Sequence, residues 1–144
     1  MNEDDLQIIT TDWASSQPVL SSIRFKVFVE EQKVPKEMEI DDEDTHAWHF
    51  LVVNNNNHQP VATGRLLENG HIGRMAVFKE YRNRKVGSQL LSAIIDKARK
   101  QNIDEIFLNA QLNAVGFYKK NGFTTYGEEF MDAGIPHIKM TLTP

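Results

Sequence analysis

The chain has 144 residues, of which 40% are hydrophobic and 25% charged, with a net charge of −4 and no cysteine. These values suit one folded domain, residues 1–144, with a single core, and they exclude disulfides, zinc–thiolate sites and a cysteine nucleophile. An acidic balance also argues against wrapping nucleic acid, and no apolar run approaches the roughly 20 residues of a spanning helix, so neither nucleic acid nor membrane is expected as a partner.

The N-terminus, MNEDDLQIITTDW, begins acidic and lacks the basic-then-apolar order of a secretory signal, which points to the cytoplasm. LQIIT alternates as a strand does. QPVLSSIRFKVFVEE reads as a helix with Pro18 near its first turn and Leu20, Ile23, Val27 and Phe28 inward. On that helix Arg24, Phe28 and Glu31 lie about one turn apart and are candidates to border a substrate pocket.

Residues 32 to 45, QKVPKEMEIDDEDT, combine proline with dense acid and read as a loop or short irregular helix. Six acids fall between residues 37 and 44. They could attract a cationic amine, but a solvated face is the favoured reading. WHFLVV and VATGRLL are strands joined by NNNNHQP, a hairpin, and HIGRMAVF is a further strand. His46 and His49 lack a third well-spaced ligand, so no metal is expected.

The run MAVFKEYRNRKVGSQLL, residues 75 to 91, is an apolar strand, a basic loop and a glycine opening an amphipathic helix. That order suits an anion. The first N–H groups of a helix lack internal partners and its dipole favours negative charge, while Arg82, Arg84 and Lys85 add cations. Val86, Leu90, Leu91, Ile94, Ile95 and Ala98 recur on one face of a helix running to about Gln101 and stopping near Asn102. Gly87 leaves the backbone open to close approach of a phosphate. A solvated basic turn is the bland alternative. IFLNA then forms a short strand, AVGFYKKN a short helix ended by Gly122, and FTTYGEEF and HIKMTL two last strands separated by DAGIP. The pattern is mixed α/β, one central sheet covered by helices.

These residues resemble the GCN5-related N-acetyltransferases, the GNAT superfamily, along nearly the whole chain. The run Arg82, Asn83, Arg84, Lys85, Val86, Gly87, Ser88 matches the R/Q-x-x-G-x-G/A loop that holds the pyrophosphate of coenzyme A, with Lys85 in place of the middle glycine. NAQLNAVGFYKKNGF is similar to N-x-x-A-x-x-x-Y-x-x-x-G-F, with Ala114, Tyr118, Gly122 and Phe123 in register, Gln111 at the asparagine position and Asn113 two residues beyond. IRFKVFVEEQKVPKEMEIDDED and DAGIPHIKM resemble the ElaA/YjcF-like branch.

The resemblance implies a GNAT fold: a mixed, mostly antiparallel twisted sheet of about seven strands flanked by about four helices, with a splayed strand pair binding CoA. It implies acetyl-CoA as co-substrate. Met75, Ala76 and Val77 would lend backbone groups to the pantetheine arm and thioester. Gln111 and Asn113 would join the cofactor site, and Tyr118 would act as general acid. Transfer would run by direct attack of a primary amine in a ternary complex. The acceptor would be a small molecule or protein, the protein a monomer or homodimer. Glu31, Glu39, Asp41, Glu68, His46, His71 and His137 all remain open as general base, as does a water chain. RFKVFVEEQKVPKEMEIDDED also resembles acyl-homoserine-lactone synthases, and a non-catalytic acyl-CoA-binding module is a third reading.

Overall fold

The computed structural model describes residues 5–39 and 41–142. The acidic residues at the extreme N-terminus, which underlie the cytoplasmic expectation, and the outer ends of the 1–144 span lie outside them. Strand β1 (Leu6–Thr11) leads into α1 (Trp13–Arg24), which continues without a break into π-wound turns over Phe25–Glu31. A single turn, α2 (Lys36–Glu39), and a 3₁₀ turn at Asp42–His46 precede β2 (Trp48–Asn54), β3 (Pro60–Leu66) and β4 (His71–Val77). Then come α3 (Val86–Lys100), β5 (Phe107–Gln111), α4 (Val115–Lys120), β6 (Phe123–Asp132) and β7 (Ile135–Leu142).

Helix α1 starts four residues earlier than its apolar spacing suggests. The Asp12 side chain accepts from the Ser15 amide at 2.7 Å and caps the helix at Trp13, so Pro18 lies inside it rather than in its first turn. The wide turns that follow are invisible to a 3.6-residue periodicity. The last two strands also run further than expected. A tight turn at Ala133 and Gly134, with φ of +52° and +77°, joins Asp132 to Ile135 in place of the five-residue DAGIP connection.

The seven strands form one sheet in the order β1-β2-β3-β4-β5-β7-β6. Every neighbouring pair is antiparallel except β4 and β5. Helix α3 covers one face: the six residues of its predicted stripe are all buried, against Ile72, Leu108, Ala110 and Met140 of the sheet. Helix α1 and the π-wound turns after it cover the other, packing Trp13, Leu20, Ile23 and Val27 on Leu51 and Ala76. Phe28 is half-buried at the border of this second cluster.

The parallel pair is the short one in the sheet. β4 and β5 are in register only at His71↔Phe107 and Ile72↔Leu108, and beyond these residues the strands part. One cause is a bulge. Between the pairs Thr63↔Ala76 and Arg65↔Gly73, β4 carries one extra residue, and Arg74 within it takes φ +51°. The closed end is clamped by Gly70, whose carbonyl accepts from the Phe107 amide at 3.1 Å. A Cβ at Gly70 would lie 1.7 Å from the Glu105 carbonyl oxygen, and its φ is +94°, so only glycine fits.

Candidate active site

The parting of β4 and β5 opens a cleft of about 640 Å³ through the middle of the sheet. Met75 and Tyr118 lie on its α3 side, packed against the α3 core cluster. Phe28, Glu31 and Gln32 close it from the α1 side. The π-wound turns supply these last residues: Gln32 N–H bonds to the Val27 carbonyl and Val34 N–H to that of Phe28, which turns the chain along the rim. Gln111 at the end of β5 donates its amide to Gln32 Oε1 at 2.8 Å across the mouth.

Tyr118 projects from the short α4 helix. Its hydroxyl donates to the Met75 sulfur at 3.9 Å, and its ring sits edge-on to Phe117 and Phe123. Burial pushes its phenol up to about 12, so Oη keeps its proton throughout the neutral range.

The expected cofactor residues divide into three groups. Met75, Arg82, Gln111, Asn113 and Tyr118 line the cleft. Ala76 is buried in the α1-side core, Val86 is buried in the α3-side core and Val77 packs partly buried against that same core away from the cleft lining, so each can offer a ligand only its backbone. Asn83, Arg84, Lys85, Gly87 and Ser88 do not line the cleft, and form the loop and first turn of α3.

That loop explains the motif. Lys85 occupies the glycine position and adopts φ +65°, ψ 12°, the left-handed conformation that glycine takes without penalty; Asn83 is left-handed too, at φ +62°. Lys85 is the N-cap of α3 and no side chain caps that end, which leaves the first-turn amides of Val86, Gly87 and Ser88 available to an anion. Arg84 stacks over Tyr81 at 5.3 Å. Ser88 Oγ accepts from the Asn121 side chain at 3.5 Å. A Cβ on Gly87 would meet the Phe117 ring at 3.2 Å, so its missing side chain also serves helix packing.

Arg82 is held twice. Its Nε donates to the Val77 carbonyl at 3.0 Å, and Nη1 and Nη2 reach Glu31 at 2.5 and 2.7 Å. A residue expected at the cofactor and one expected at the acceptor are thus joined at the cleft mouth.

Arg24 is corrected. It is 1% exposed and does not border the cleft. Its guanidinium pairs with Glu39 and, in bidentate fashion, with Asp44 at 2.8 and 3.1 Å. The acidic stretch is corrected with it. Instead of a solvated face, Glu39 and Asp44 are buried, because three arginines from three elements neutralise them. Arg65 of β3 donates to Asp41 at 2.7 Å and Asp44 at 3.0 Å, and the bulged Arg74 of β4 donates to Asp41 at 3.1 Å and the Glu39 carbonyl at 3.0 Å. His49 is buried beside them and its Nε2 donates to the Asp44 carbonyl at 2.9 Å. Burial would raise the Asp44 carboxyl, but hydrogen bonds from Arg24 and Arg65 outweigh it and hold it below the usual range. Burial depresses His49.

This network builds the α1-side wall of the cleft, where Glu39, Arg65 and Arg74 reach the lining with His71 and His137. Arg65 and Arg74 were not anticipated. Their signal was present in the sequence, as a lone cation inside each of two otherwise apolar strands, VATGRLL and HIGRMAV. Among the described residues no group of three His, Asp or Glu side chains is placed to hold a metal, and no helix is long and apolar enough to cross a membrane.

A sheet split between two parallel strands, beside a left-handed basic loop that opens a helix, defines the class. Residues 13–144 match the family model for the acetyltransferase (GNAT) domain, and the chain belongs to the GNAT family. Within it the chain falls in the ElaA/YjcF-like branch. It is 39% identical over 122 residues to the uncharacterized N-acetyltransferase YjcF of Bacillus subtilis, covering 82% of this chain and 86% of that one. The crystal structure of Escherichia coli ElaA superimposes with a TM-score of 0.81 at 30% identity, covering 96% and 99% of the two chains. An acyl-CoA N-acyltransferase from Pseudomonas aeruginosa gives a TM-score of 0.84 at 28% identity, covering 96% and 100%.

Proposed function

We propose that this chain is an acetyl-CoA-dependent N-acetyltransferase that acylates a primary amine of a small molecule or protein by direct attack in a ternary complex, in the cytoplasm. The observation that carries the reading is the gap between β4 and β5 with the Tyr118 hydroxyl turned toward a sulfur, that of Met75, at its edge. Overall, an ammonium and the thioester give an N-acetyl amide, a free thiol and one proton.

The residues present fit the cofactor. Beyond Ile72, β4 is unpaired with β5 and its backbone can bond the pantetheine amides. The first-turn amides of α3 suit a pyrophosphate, and Arg82 and Arg84 belong to the loop that leads into them. When bound, acetyl-CoA supplies an activated acetyl group and a thiol leaving group. Tyr118 holds a proton on Oη and donates it as a hydrogen bond to the sulfur, where negative charge develops. Its elevated pKa makes it a hydrogen-bond donor that favours the transition state rather than an acid that is itself left ionised. Gln32 and Gln111 span the mouth and limit water.

The test is thiol release from acetyl-CoA against a panel of primary amines, with CoA affinity measured in parallel by calorimetry. Amine-dependent release supports the reading. CoA binding without release from any amine would mark a non-catalytic acyl-CoA-binding module. Release only with an acylated carrier protein would mark a synthase of acyl-homoserine-lactone type.

A further inference from the structure

We infer that His137 is the general base that takes the proton from the acceptor ammonium, an assignment that rests on the acetyltransferase reading above. His137 is buried and lines the cleft. Its Nδ1 lies 2.7 Å from the Ile135 carbonyl oxygen. A carbonyl can only accept, so the proton sits on Nδ1 and Nε2 carries the lone pair. The protein therefore presets the basic tautomer. The ring is held further by a near-parallel stack on Phe130, with centroids 6.0 Å apart.

Its position in the sheet suits the task. Ile138 and Met140 of β7 pack with the α3 side, so His137 and Lys139 point to the opposite face. Lys139 confirms this, since its ammonium sits 4.6 Å over the Phe107 ring, and Phe107 alternates with the α3-side Leu108. In register, His137 pairs with Gln111, at the end of β5 where the strands have parted. Tyr118 belongs to the α3 side of the same cleft. Base and hydrogen-bond donor thus approach the gap from opposite faces of the sheet, as an amine entering from one side and a sulfur leaving from the other require.

The other candidates are committed elsewhere. Glu31 is paired with Arg82, Glu39 with Arg24, and Asp41 with Arg65 and Arg74. His46 and Glu68 do not line the cleft. His71 does, but it sits at the closed end, stacked 4.8 Å from Phe107. Burial and the charges of Arg65, Arg74 and Lys139 hold it below its ordinary value, which makes it a weak base. The charged groups sharing the cleft or strand with His137 are Glu31 and Glu39 from the α1 side, Arg65 from β3, Arg74 from β4, Arg82 from the loop before α3, Lys139 along β7 and Asp132 from β6.

The experiment compares the wild type with His137→Asn, whose amide can still donate to the Ile135 carbonyl but has no lone pair at the Nε2 position, and with His137→Gln as a second variant. Thiol release is measured from pH 5.5 to 9.5 with two acceptors, a basic alkylamine and a weakly basic amine such as glycinamide, and folding is checked by thermal melting. We expect kcat/KM for the alkylamine to fall about 100- to 1,000-fold, its pH profile to follow ionisation of the amine alone, and the loss to shrink at least tenfold for the weakly basic amine, with CoA affinity within threefold of wild type. A folded variant within threefold of wild-type kcat/KM, or an equal loss on both acceptors with an unchanged pH profile, overturns the assignment while leaving the acetyltransferase reading standing. A wild type inert toward every amine overturns that reading and this inference together.

Discussion

Glu31 and Arg82 meet in a two-pronged ion pair, 2.5 and 2.7 Å, that ties the π-wound end of α1 to the loop before α3. Both side chains are about a third exposed, so the pair contributes little to stability, about 0–1 kcal/mol, and solvent lets it open. Its larger effect is on charge: Glu31 neutralises the cation that the proposed function assigns to the cofactor. Arg82→Ala should weaken CoA binding about tenfold, whereas Glu31→Gln should leave it unchanged or tighten it, as read by calorimetry at low salt. Equal weakening by both would show that the pair shapes the site rather than competes for it.

Tyr118→Phe keeps the ring against Phe117 and Phe123 and removes only the donor. The expected result is a fall in kcat of about 10- to 100-fold with little change in KM. Because the phenol is pushed up to about 12, the wild type should show no break from this group near pH 10. An alkaline limb near 10 that disappears in the variant would contradict the buried phenol.

Lys85→Gly tests the left-handed loop. Glycine relieves the strained φ but frees the unfolded chain, and the two effects offset to within about 1 kcal/mol. Melting should therefore move by no more than about 4 °C, and CoA affinity should drop less than tenfold with the loss of one cation. Complete loss of binding would mean that Lys85 itself holds the phosphate.

Asp44 anchors the buried network, and Asp44→Ala takes from Arg24 and Arg65 the carboxylate they share, leaving each with one acidic partner. Removal of one partner from such a site destabilises by about 3–5 kcal/mol, a fall in melting temperature of about 10 °C or more. Acid acts on the same cluster in two stages. His49 and His71 have depressed values when folded, so the unfolded chain takes up protons first as pH drops through 6.5, and stability falls. Asp44 is also depressed, so its contribution, present above 3.8, is lost as pH falls further toward its folded value. Calorimetry from pH 8 to 3 should show both declines, and a melting temperature that rises between pH 7 and 5.5 would contradict the first.

Local signals carried much of this molecule. The stripe from Val86 to Ala98 stated its helix and its buried face, because a 3.6-residue period is a property of neighbouring residues. The strands announced themselves by alternation, and the loop from Arg82 to Ser88 with Tyr118 downstream placed the chain in its family. Asp12 was a legible cap that the apolar spacing alone passed over. The site was harder to read. Arg24 lies one turn from Phe28, which made it a pocket residue by helix geometry, yet its partner Asp44 is twenty residues away and draws it inward.

Sequence alone determined most of the elements, the basic loop before α3 and the candidate Tyr118, since each depends on residues close in the chain. Only the tertiary structure decided that β4 and β5 part after two paired positions, that six acids split between solvent and a buried arginine cluster, and that His137 stands beside the open end of β5. Those outcomes depend on strand order, register and the neutralisation of charge by residues far apart in sequence. Burial of an ion is favourable only when a partner is brought to it, and the fold chooses the partner.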